Sequence, residues 1–134
     1  MLDLKKTNLA ESAELGHEFE LLLPESQDKT GGFITVRGRM SPVVRNHAKR
    51  KYTEFMQREA QAKRKGKEVE PMSIDEAEDS AIDNAIVRII GWRGIGKDGV
   101  ELPFNKENAE AVLREHTWIR DQVMDESDNL LNFQ

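Results

Sequence analysis

Cysteine is absent from this chain of 134 residues, which excludes disulfides, thiolate metal sites and thiol nucleophiles and suits a reducing compartment. Long apolar runs are missing too. No window approaches the ~20 apolar residues of a membrane span, and the opening MLDLKKTNLAESAEL carries acids early, against a signal peptide. A soluble intracellular protein with no membrane partner is the expectation. The three histidines, His17, His47 and His116, lie far apart and form no HxxxH or HxxE pair, so no metal site is expected. Ser41, Ser73 and Ser80 lack the surroundings of a nucleophile elbow. The acids at 75–83 have no glycine at the centre of a calcium loop. No catalytic constellation is visible, and the chain is read as a non-enzyme without cofactors.

What is present suits one domain with a modest core and a heavily charged surface: 37% hydrophobic and 34% charged residues. The net charge of −5 hides two opposed blocks. Residues 41–67 hold nine Lys/Arg against Glu54 and Glu59, a balance of +7, whereas 68–84 hold seven acids and no Lys or Arg, a balance of −7. The plain reading is two adjacent helices that neutralise each other as they pack. The alternative is a basic face for an acidic partner or nucleic acid, with Arg45 and Lys49 on it and Tyr52 or Phe55 free to stack on bases. Overall acidity opposes non-specific nucleic-acid binding, and the stripe that holds Tyr52 and Phe55 is expected to be core.

In order, residues 1–16 read as a flexible arm. His17–Leu23 alternates Phe19 and Leu21 with Glu18 and Glu20, a strand signal, and Phe33–Arg39 is β-branched and aromatic. With the turn-rich loop 24–32 they predict a hairpin over 17–40, which needs a helix on one face to be stable. Ser41-Pro42 opens a helix with an N-cap and a proline at its first position. Its stripe of Val44, Ala48, Tyr52, Phe55 and Met56 runs at helical spacing, and the helix should end at Gly66. Ser73 to Glu76 forms a capping box. Ile74, Ala77, Ala81, Ala85 and Ile89 then predict a central hydrophobic helix reaching nearly to Gly91. Lys97-Asp98-Gly99 marks a turn in the connector 92–104. Asn105 caps a helix with Ala109, Val112 and Leu113 inward, Thr117 caps another with Trp118, Ile119 and Val123, and the tail LLNFQ is expected to dock on the core, the alternative being a partner-binding element. The sum is an α+β fold: an N-terminal β-hairpin packed on a small bundle of about four α-helices, with 17–134 as a single domain and 41–134 its helical part.

Two phosphate-loop patterns overlap in the connector: Gly94 to Gly99 fits GxGxxG, and Gly91 to Lys97 fits GxxxxGK. Each needs a strand before the loop and a helix opening directly after it. The segment before has helical periodicity and the segment after contains Pro103, so the glycines are read as serving a tight turn. Trp92 and Trp118 are equally well explained as interface anchors and as core.

The stretch from Ile86 onward resembles the C-terminal part of the tail assembly chaperones of long-tailed (siphovirus-like) bacteriophages. The resemblance rests on IVRIIGW ending at Trp92, the turn Asp98-Gly99, Leu102-Pro103-Phe104-Asn105, the helix Glu107 to Leu113, and the segment Trp118-Ile119 to Val123. It covers roughly the last third of the chain. It implies a non-enzymatic protein of phage assembly in the host cytoplasm, absent from the mature virion, that binds the tape measure protein and helps recruit tail tube subunits. Trp92, Leu102, Phe104, Trp118 and Ile119, with Arg45 and Lys49 on the basic face, are the candidate partner-binding residues. The alternatives are a structural head or tail component, or a small nucleic-acid-binding regulator using 41–67. A homo-oligomer is also open, because the helix 41–65 is too long for the core it can cover.

Overall fold

A single strand, β2 (Lys29–Val36), holds the molecule together from the middle of an antiparallel three-stranded sheet. The computed structural model describes all 134 residues. On one side β2 pairs with β1 (His17–Leu22), as the hairpin reading requires. On the other it pairs with β3 (Ile89–Arg93), with Ile34 opposite Trp92 and Val36 opposite Ile89. A strand's side chains alternate between its faces, so Phe19, Leu21, Ile34, Val36 and Ile89 all point to the core. Glu18, Glu20, Phe33, Thr35 and Arg93 share the opposite face. There the Arg93 guanidinium lies 3.9 Å from the centre of the Phe33 ring and 2.7 Å from a Glu18 oxygen.

β3 corrects the expected long central helix. The helix over Ile74–Ile86 forms, with Ser73 accepting from the Glu76 N–H as predicted, but it ends three residues before Ile89. The change of state is anchored by Arg37, just beyond β2. Its backbone N–H donates to the Arg88 carbonyl, and its guanidinium donates to the carbonyls of Val87 and Ile89 at 3.1 Å each. Carbonyls that a helix end would leave unpaired are thereby met, and Ile89-Ile90-Gly91-Trp92 continues as sheet, which its β-branched and aromatic side chains favour.

Five α-helices surround the sheet, with one short 3-10 turn. In chain order the first four are α1 (Leu9–Leu15), α2 (Pro42–Arg64), α3 (Ile74–Ile86) and α4 (Lys106–Glu115). The fifth is α5 (Thr117–Asp128), followed by the 3-10 turn Leu130–Phe133. Ile119 and Val123 of α5 lie on the core face of the sheet, and Ile82 and Ala85 of α3 and Val112 and Leu113 of α4 complete the cluster. The tail docks as expected, with Phe133 only 4% exposed.

Several expectations change. The stretch read as an arm carries α1, whose Asn8 accepts from the Glu11 N–H and whose Ala13 is 1% exposed. The Gly38 N–H donates to the Ala13 carbonyl, and the Glu14 carboxylate accepts from Ser41, the N-cap of α2. One small buried side chain and two hydrogen-bonded links therefore tie α1 to the chain that leaves β2. Thr117 does not cap α5. The cap position is His116, which makes no side-chain capping bond. The stripe of α2 is buried only at Val44, while Tyr52, Phe55 and Met56 are exposed. Between β3 and α4 a small hairpin forms, β4 (Gly96–Lys97) and β5 (Val100–Glu101). Its turn residues Asp98 (φ 53°) and Gly99 (φ 78°) both have positive φ, the tight turn that an Asp-Gly pair favours.

Candidate functional site

The β4–β5 hairpin stands off the core and leaves a groove between itself, the far end of the β1–β2 hairpin, and the corner where α4 passes into α5. The groove has a volume of about 500 Å³. Its floor is apolar: Leu21, Ile95, Leu102, Val112, Trp118 and Ile119. Thr30, Lys97, Glu115 and His116 supply polar groups around it.

Local chemistry explains why the groove stays open. Gly94 (φ 70°) makes the turn out of β3, and a Cβ there would overlap the Gly31 carbonyl oxygen. Only glycine fits so close a backbone approach. The Gly94 N–H donates to the Glu101 carboxylate at 2.7 Å, and the Leu102 N–H to the Ile95 carbonyl at 2.8 Å, so both ends of the small hairpin are held. Ile95, between two glycines, is thereby fixed against the core rather than left in solvent.

The residues singled out from the sequence fall into three groups. Leu102, Trp118 and Ile119 line the groove, with Ile119 almost fully buried in its floor. Trp92 and Phe104 stand behind Leu102. The Trp92 indole N–H donates to the Leu102 carbonyl at 2.9 Å, and its ring meets Phe104 edge-on at 5.1 Å between centroids. Their place is to support the groove, not to line it. Arg45 and Lys49 lie on α2, exposed and outside the groove. Sequence reasoning missed Ile95, Lys97 and His116. The signal for Ile95 was there in a lone aliphatic residue within a glycine-rich turn, where composition calls for polar residues.

The glycines of the connector do not build a phosphate loop. A strand does precede Gly94, contrary to the helix expected there, so half of the required setting exists. The chain after them forms a hairpin, however, and α4 opens only at Lys106 under its Asn105 cap. No helix opens directly after the glycines, as a phosphate loop requires; Gly94 and Gly99 take the positive φ of the turn reading, whereas Gly91 and Gly96 lie in strands.

Two ion pairs shape the electrostatics elsewhere. Hydrogen bonding to Arg93 holds the Glu18 carboxyl below the usual carboxylate range, although partial desolvation works the other way. Arg114 of α4 donates to Asp79 of α3 at 2.7 Å, which holds it still more firmly protonated and ties the two helices together. The two charge blocks do not neutralise each other as expected, for one ion pair alone joins them, Lys51 to Asp83 at 3.4 Å. No helix is long and apolar enough to cross a membrane.

No curated protein matches the chain. No solved structure matches it either. Residues 44–134, which hold α3, β3, the small hairpin, α4, α5 and nearly all of α2, match the family described as YdaY prophage protein. That match spans more than half of the chain and contains every candidate residue named above except Leu21 and Thr30 of the groove, so the chain belongs to the YdaY prophage protein family and is phage-derived.

Proposed function

We propose that the chain is a tail assembly chaperone of a long-tailed phage. It is a non-enzymatic protein that binds the tape measure protein in the host cytoplasm, helps recruit tail tube subunits, and leaves before the virion is complete. The prophage family and the order of residues from Ile86 to Val123 both support this reading. The observation that carries it is the open groove with its apolar floor and mixed-charge rim. A chaperone for long helices needs a surface that takes apolar side chains reversibly, without a permanent interface. A cleft of about 500 Å³ suits one or two such side chains from a partner helix. Lys97 and Glu115 beside it offer both charge signs to that helix's polar positions.

The test is co-expression with a tape measure protein from the same phage, followed by pull-down and size-exclusion with light scattering. A soluble complex, where the tape measure protein alone precipitates, is the expected result, and Ile95→Asp in the groove should abolish it. Failure to form any complex, with the chain recovered in purified particles, would instead make it a structural component. One observation favours a second reading, a nucleic-acid-binding regulator: Tyr52 is 66% exposed on the basic α2, free to stack on a base. In that case affinity for an oligonucleotide falls steeply with added salt.

A further inference from the structure

Two parts of the chain that leave the core carry opposite charge and have no cover. Beyond Val44, α2 holds Tyr52, Phe55 (52% exposed) and Met56 out to solvent, and at the entry to α3 Met72 and Ile74 (88% exposed) are equally bare. Between them lies a groove of about 660 Å³, with Lys51, Phe55 and Arg58 beside a single acid, Glu54, on one wall and Glu70, Glu76 and Asp79 on the other. Lys51 and Asp83 make the one ion pair across it. Glu68, Glu70, Asp75 and Glu76 have no cation within ion-pair distance, and Arg58, Arg64, Lys65 and Lys67 have no anion. Folding of one chain thus leaves a basic face and an acidic face unneutralised, each beside exposed apolar side chains.

A partner of one charge sign would neutralise only one of these faces. A second copy of the chain brings the complement of both. We propose that they form a homodimer contact in which α2 of one copy lies against the acidic 68–79 segment of the other, and reciprocally about a twofold axis. The apolar stripe of Tyr52, Phe55 and Met56 then covers Met72 and Ile74 of the second copy. The charges fix orientation and make the contact salt-sensitive. At ~1.5 Å per residue the 23 residues of α2 extend about 35 Å. Paired with the acidic segment, that length supplies a strip on the scale of the ~800 Å² per partner of stable interfaces. The contact lies on a different groove from the one lined by Trp118, and does not depend on the chaperone reading.

Light scattering on the full chain, at about 50 mM and about 500 mM salt, tests the contact against the 15.3 kDa mass of one chain. Twice that mass is expected at low salt, and the dimer dissociation constant should rise about tenfold or more at high salt, shifting the chain toward monomer. Two pairs of exposed charge reversals sharpen the test. Arg58→Glu with Arg64→Glu should give a folded monomer by circular dichroism, and so should Glu70→Lys with Asp75→Lys. Mixed in equal amounts, the two variants should pair with each other, the reversed α2 of one meeting the reversed segment of the other and the two unreversed faces meeting in the second contact. A wild-type chain that stays monomeric at low salt overturns the proposal, as does a dimer indifferent to the reversals. A monomer that retards an oligonucleotide through α2 overturns it as well, and assigns the basic face to nucleic acid.

Discussion

The two tryptophans look alike in sequence but are held differently. Trp92 spends its indole N–H on the Leu102 carbonyl and its ring on Phe104, inside the layer that supports the groove. Removing it leaves a hole and an unpaired carbonyl, so Trp92→Ala should cost about 2–4 kcal/mol. The melting temperature should fall by on the order of 10 °C. Trp118 lines the groove itself, edge-on to His116 at 6.3 Å, and its indole N–H makes no bond within the chain. Trp118→Ala should lower the melting temperature less than Trp92→Ala and, on the function proposed above, weaken tape measure binding about tenfold or more, as loss of an interface anchor does. Equal thermal losses with unchanged binding per folded molecule would make both tryptophans core. Sequence alone could not separate them, because what distinguishes them is which side of Leu102 each ring occupies. A second residue-scale prediction concerns Glu18, whose folded pKa is depressed by Arg93. Its contribution to stability is therefore present above the unfolded value near 4.5 and is lost as pH falls through the lower folded value. NMR titration should place Glu18 below 4.5, and Arg93→Ala should return it toward that value. An unchanged titration in the variant would show that the pair is not formed in solution.

At the scale of elements, helix starts were more legible than helix ends. Ser41, Ser73 and Asn105 each accept the backbone N–H that capping chemistry assigns them. The end of α3 was hidden because Ile82, Ile86, Ile89 and Ile90 keep a helical spacing through the point where the chain becomes strand. What decides the change is Arg37, about fifty residues earlier, and no local pattern could display that contact. The hairpin was legible from its alternation, but its third strand was not. The long stripe on α2 was correctly read as helical and wrongly read as buried, since periodicity gives the face of a helix and not what covers it. One edge of the sheet is closed by a side chain. Gln122 of α5 accepts from the Leu22 N–H at 3.0 Å and donates to the Leu22 carbonyl at 2.7 Å, acting as a substitute strand at the outer side of β1. Gln122→Ala frees both groups and should cost about 1–3 kcal/mol. Because exposed strand edges invite pairing between molecules, it should also raise the rate of aggregation on warming. Unfolding in urea reads the first effect and light scattering the second. A variant with wild-type values for both would show that water replaces the amide without loss.

For the molecule as a whole, the boundary of the family match makes a demanding case. Residues 44–134 include every helix of the core cluster but omit β1 and β2. The cluster has 12 buried residues, and Phe19, Leu21, Ile34 and Val36, the four from those strands, form the layer on which α5 rests. At about 1.5–3 kcal/mol for each buried side chain, their loss is on the order of 10 kcal/mol. That equals the whole stability of an ordinary domain, about 5–15 kcal/mol. β3 would also lose its sole partner strand, and α2 its Ser41 cap. A fragment of 44–134 should therefore fail to unfold cooperatively when followed by circular dichroism in urea, and adding residues 1–43 in trans should restore a transition. A cooperative transition in the fragment alone, near that of the full chain, would show that the hairpin is an appendage to a self-sufficient helical domain. The central place of β2 predicts the first outcome, because the family's matched segment supplies most of the groove while the strands before it supply Leu21 and Thr30 of its lining and the surface against which the rest is built.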